Sequence, residues 1–122
     1  MKISYPAALW LLAGNVSLLV LGTQMPGTWR DAVFAVTQLP WQMTKVAHFG
    51  LFAGIAGLAH MAPLHWSLRR VVFGSLALAL LTEAFQFAAV GRDPSWSDVC
   101  LDCWGAALGL FLVRSLRRLV EA

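Results

Sequence analysis

The chain reads as an all-α membrane protein, a bundle of four transmembrane helices with both termini cytoplasmic. Three observations predict it. Hydrophobic residues fill 59% of the 122 positions and charged ones only 12%, outside the balance of a soluble domain. Charged residues are absent from Ile3 to Trp29 and from Val46 to Leu68, runs long enough to cross a ~30 Å hydrocarbon core as helices of about 20 residues. Two further apolar runs follow, each with one acid, Glu83 or Asp102. A β-barrel would show short segments of alternating polarity, and these runs show none.

The whole chain, residues 1–122, forms one domain, with helices over about residues 5–21, 45–61, 71–90 and 98–116. The first carries Pro6 in its opening turn, where no internal N–H partner is needed, and stops before the breakers Gly22, Pro26 and Gly27. Lys2 ahead of an apolar stretch and Val20-Leu21-Gly22 loosely imitate a cleavable signal, but the segment reads as a retained helix. Residues 22–44 read as a long interfacial loop, since Trp29, Phe34 and Trp41 beside polar residues suit the lipid headgroups. The short segment 91–97 returns the chain into the last helix. Gly50, Gly54 and Gly57 on the second helix and Gly105 and Gly109 on the fourth offer small surfaces for helix packing.

Charge placement sets the orientation. Lys2, Arg69, Arg70, Arg114, Arg117 and Arg118 fall on the side holding both termini, whereas Arg30, Lys45 and Arg92 fall on the other. The positive-inside rule makes the richer side cytoplasmic. The net charge of +3 is no nucleic-acid footprint, because its basic residues are not gathered on a soluble face. Nucleic acid is therefore excluded as a partner.

The remaining polar residues gather in the outer half. Asp98, Asp102, Gly105 and Gly109 step by four, three and four, forming one stripe that should face the bundle. Glu83 and Gln86 lie a turn apart on the third helix, with Glu83 about 10 Å below its outer end. Lys45 and His48 lie a turn apart at the outer entrance of the second helix, and Arg92 sits between Glu83 and Asp98 in sequence. A charge at membrane depth costs roughly 3 kcal/mol on insertion scales, so Glu83 should be paired, neutral or facing a polar cavity. His48, Gln86 and Arg92 are its expected partners. A purely structural role, holding the helix order, competes with a functional one. For Asp98 the competing role is a helix cap, with Ser95 and Ser97 beside it.

These residues resemble a known family. Lys45-x-x-His48, Glu83-x-x-Gln86, Gly91-Arg92, Ser97-Asp98-Val99 and Gly105-x-x-x-Gly109 follow the order and approximate spacing of VanZ-like proteins. The resemblance covers roughly residues 45–109. It implies a multi-pass protein of the bacterial cytoplasmic membrane, in a family whose founding member is associated with resistance to the glycopeptide teicoplanin. It also implies that Lys45, His48, Glu83, Gln86, Arg92 and Asp98 are the family's polar positions. Thr44 stands where many members have an acid, and Asp102 where an asparagine is usual.

The leading expectation is an outer-leaflet site that binds or modifies an anionic lipid or lipid-linked cell-envelope intermediate. Lys45 and Arg92 would hold phosphate, Gln86, Asp98 and Asp102 would complete the binding site, and Glu83 or His48 would transfer protons. Whether the site is catalytic stays open. The alternatives are a non-catalytic partner of another membrane protein, a small transporter with Glu83 as its proton site, and a thiol oxidoreductase built on Cys100-x-x-Cys103. The last lacks the further cysteines of a redox relay, and two cysteines in one helical turn are ordinary packing. His48, Glu83, Asp98 and Asp102 include metal-ligating types, but there is no His-x-x-x-His pair or other ligand spacing, so no metal or other cofactor is expected. His60 and His65 read as surface histidines of the cytoplasmic end.

Overall fold

The computed structural model describes residues 2–40, 42–88, 91, 93 and 95–122, so the expectations placed on Trp41 and Arg92 lie outside the described residues. The described residues form five helices and no strand: α1 (Tyr5–Gln24), α2 (Gly27–Thr37), α3 (Met43–His60), α4 (Leu68–Gln86) and α5 (Trp96–Glu121). The all-α class holds. Three helices begin on a serine that accepts a hydrogen bond from the first turn, at 3.3 Å in each case: Ser4 from Ala7 N, Ser67 from Arg70 N, and Ser95 from Asp98 N.

α2 corrects the sequence reading of residues 22–44 as a loop. Trp29, Val33 and Val36 recur at helical spacing and point outward, at 67%, 48% and 84% exposure. Backbone polar groups at the edge of an apolar region are best satisfied by pairing with each other, which a helix accomplishes within the segment. The helix stops at Gln38, whose left-handed backbone (φ 56°) turns its N–H onto the Phe34 carbonyl at 2.8 Å. At the other end, Gly27 abuts the backbone of Gly91, leaving no room for a Cβ.

α3 and α5 form the closest pair, with α1 packed on α3 and α4, and α4 on α3 and α5. The pair closes on glycine: Gly105 lies against the Phe49 backbone and Gly109 against that of Ala53, where any side chain would overlap a carbonyl. Gly50 does not join this seam, since a Cβ there would meet nothing within 4 Å.

Polar residues share the apolar core around Phe52 and Leu19, and large apolar side chains cover the outside. Ala8, Ala56, Ala59, Ala79 and Ala106 are buried together with Thr23, Ser75, Thr82, Glu83, Gln86 and Asp102, whereas Trp10, Phe73 and Phe111 face outward. Such a surface suits hydrocarbon better than water. By length and composition, α1 and α5 qualify as membrane-crossing helices. α3 and α4 are slightly shorter, and their polar residues fall inside the apolar stretch: Lys45, His48 and His60 on the former, Arg69, Arg70 and Glu83 on the latter.

Candidate functional site

The polar groups that matter converge at one end of the bundle, where α3 and α5 begin and α1 and α4 finish. Gln24, last in α1, donates from Nε2 to the Thr82 carbonyl at 3.1 Å and so ties α1 to α4 there. One turn further along α4 comes Gln86, buried beneath the surface, and between them Glu83, 5% exposed. From α5, Asp102 enters the centre at 0% exposure, and from α3, His48 reaches it half-buried.

His48 Nδ1 lies 3.1 Å from Asp102 Oδ1. With Asp102 ionised, the imidazole donates from Nδ1, and a neutral ring then keeps a lone pair on Nε2. Glu83 Oε2 accepts from the backbone N–H of Ser95 at 3.1 Å. Among the described residues the Glu83 carboxylate thus hydrogen-bonds the cap of α5 and not Gln86 or His48, although His48 lies within 4.8 Å; Arg92, the third expected partner, lies outside the described residues. The other carboxylate oxygens, Glu83 Oε1 and Asp102 Oδ2, are buried without a hydrogen-bond partner among the described residues. One donor atom from each of His48, Glu83 and Asp102 lies within 4.8 Å of the others.

Adjoining this cluster at His48 is a cavity of about 160 Å³ lined by Arg30, Thr44, Lys45, His48, Gln86, Asp93 and Asp98. The structure brings Lys45, His48, Gln86 and Asp98 to one cavity, with Glu83 and Asp102 near His48. Asp98 is not the helix cap. Ser95 caps α5, and Asp98, three residues on, turns its side chain to the cavity. Arg30 of α2 is an addition that sequence reasoning missed, since that segment gave no reason to fold back over the site. It also contacts Asp31 at 3.3 Å, an exposed pair of small energetic weight.

A larger groove of about 490 Å³ runs between α1 and α3, lined mainly by Leu18, Leu19, Gly22, Ala47, Gly50 and Leu51. It shares Arg30, Thr44 and His48 with the polar cavity. Gly50 thus keeps space open along the groove and does not close a helix contact. Cys100 and Cys103 are both free thiols, and Cys103 packs against the apolar core.

An all-helical bundle with an apolar exterior, helices fit to cross a bilayer and buried acids meeting a histidine at one end has the build of a membrane protein with a polar end site. The family model for VanZ/LLP1 matches residues 6–117, and the chain belongs to that family. No curated protein and no solved structure matches it.

Proposed function

We propose that α1, α3, α4 and α5 cross the bacterial cytoplasmic membrane with both termini inside, and that the cavity binds the anionic headgroup of a lipid or lipid-linked envelope intermediate. The observation that carries this reading is the junction of two unlike spaces: a polar cavity bearing Arg30 and Lys45, continuous at His48 with an apolar groove facing outward between α1 and α3. A headgroup-plus-chain ligand has that division. The cavity is smaller than the ~300–1,000 Å³ of typical small-molecule sites, which suits a headgroup more than a whole ligand. Arg offers a planar fork and Lys a point charge for phosphate. His48, oriented by Asp102, and Glu83 are the groups placed to take or give a proton.

Unsatisfied buried carboxylate oxygens favour this over a pure assembly role, which would pair off its polar groups. A link to glycopeptide resistance rests on the family alone. The test is native mass spectrometry of the purified protein for retained lipid. The wild type is expected to carry an anionic lipid that Arg30→Ala/Lys45→Ala loses, and equal retention by both would overturn the reading. Topology is tested separately, in a Cys100→Ala/Cys103→Ala background. A cysteine at position 30 or 93 should react with an impermeant thiol reagent in intact cells, and one at position 69 should not. Equal labelling at position 69 would reverse the orientation.

A further inference from the structure

We propose that His48, Glu83 and Asp102 bind one divalent transition-metal ion, Zn²⁺ or Mn²⁺, beside the polar cavity that His48 lines. Each residue comes from a different helix, and 35 and 19 positions separate them in sequence, so no ligand motif announces them. Their donor atoms nevertheless lie within 4.8 Å of one another. Donors sharing one ion at bonds of about 2.1 Å sit roughly 3–4 Å apart, a distance that small side-chain rotations reach. An imidazole with two carboxylates is a donor set suited to these ions.

The hydrogen bonds around the cluster favour the same conclusion. Glu83 uses Oε2 on the Ser95 N–H, and Asp102 uses Oδ1 on His48. What is left is one oxygen on each acid, Glu83 Oε1 and Asp102 Oδ2, both buried with no partner among the described residues. A buried polar atom without a partner is unfavourable, more so when charged, and a cation would satisfy both. The bonds already formed are those that orient metal ligands: a carboxylate fixing the imidazole tautomer, and a backbone N–H fixing a carboxylate.

Charge balance supplies an independent reason. Among the described residues, two basic residues, Arg30 and Lys45, and two acids, Asp93 and Asp98, line the cavity, and two more acids, Glu83 and Asp102, lie next to His48. A headgroup phosphate held by Arg30 and Lys45 would lie near the two buried acids. A divalent ion offsets the two buried acids and presents positive charge to the anion. With the ion bound, the lone pairs of His48 and Glu83 are committed to coordination, and in its absence they are the proton carriers. The metal site stands on the donor set by itself. Its role as a bridge to phosphate rests on the headgroup reading.

The test reads metal with no lipid added, so it succeeds or fails independently of lipid retention. Detergent-purified protein is stripped with chelator, then dialysed against Zn²⁺ or Mn²⁺ in turn, and bound metal is measured by mass spectrometry. One ion per chain is expected for at least one metal, with affinity at least tenfold weaker in Glu83→Gln and Asp102→Asn and unchanged in His65→Ala. Failure of the folded wild type to take up either ion would overturn the proposal, as would uptake unaffected by both acid substitutions or abolished in His65→Ala. The wild type alone gives a second reading should the variants misfold. Loaded with Co²⁺, it should show ligand-field bands without a thiolate charge-transfer band, and a thiolate band would assign the ion to Cys100 and Cys103 instead.

Discussion

The two ends of the bundle both hold histidines, yet they are built on opposite terms. At the end where α3 finishes, His60 donates from Nδ1 to the Trp66 carbonyl at 2.9 Å, and Arg117 of α5 donates to the His60 carbonyl and approaches His65 Nδ1 at 3.3 Å. Arg70 lies over the Trp66 ring, 5.9 Å from its centre. These polar groups have partners, and the result is a clasp joining α3, the following turn, α4 and α5. At the end where α3 begins, His48 is paired on one nitrogen and two buried carboxylate oxygens lack partners among the described residues. The contrast separates polar groups that hold helices from polar groups kept available. It also shows why residue type is a poor guide to role, since the same side chain serves both ends.

The substitution with the largest expected effect strikes the open end. Glu83→Gln and Asp102→Asn keep the shape and hydrogen bonding of the carboxyl groups while removing charge that is costly to bury. Both variants should fold with a melting temperature no lower than that of the wild type, yet retain lipid at least tenfold less. Folded Glu83→Gln protein with full lipid retention and full activity would leave Glu83 a purely structural residue, and the contrast between the ends would collapse.

Arg117→Ala should do the reverse at the closed end. Losing hydrogen bonds from a charged group to His60 and His65 should lower stability by about 1–2 kcal/mol, read as an earlier midpoint in thermal unfolding. Lipid retention should not change. Reduced retention with unchanged stability would mean that the clasp is also part of a ligand path, as a transporter with access from both faces requires.

Gly50→Leu sharpens the comparison within the open end. No atom obstructs a side chain there, and replacing a helical glycine adds up to about 1 kcal/mol of helix propensity. The variant should therefore be at least as stable as the wild type while losing lipid several-fold, because leucine fills the groove beside His48. Unaltered retention would detach the groove from the polar cavity.

The smallest effect is expected at the cysteines. Cys100→Ala/Cys103→Ala keeps small apolar surface and removes all sulfur chemistry, so stability and lipid retention should stay close to wild type. A folded double variant without activity would revive the thiol reading.

Periodic, local information was legible without coordinates. The apolar runs and their breakers placed α1, α3, α4 and α5, although every boundary but the first moved: residues 5–21 became Tyr5–Gln24, 45–61 became Met43–His60, 71–90 became Leu68–Gln86, and 98–116 became Trp96–Glu121. The stripe of Asp102, Gly105 and Gly109 is buried as its spacing required, with Asp98 at its mouth. Such features depend on neighbours three or four residues apart, which the 3.6-residue period orders directly. α2 escaped because a short helix with one apolar face looks, residue by residue, like a polar loop with scattered aromatics.

Amino-acid order by itself determined the helical class, the kinship with VanZ/LLP1 and the gathering of polar residues near the ends of their helices. Tertiary structure decided which of those residues meet. Helix rotation brings His48 to Asp102, the turn before α5 delivers the Ser95 N–H to Glu83, and α2 folds Arg30 over the cavity. None of these contacts follows from spacing along the chain, because they join different helices. Their rotation and depth are set by how closely glycine lets the backbones approach, with Gly105 and Gly109 drawing α5 against α3 until Asp102 lies within reach of His48.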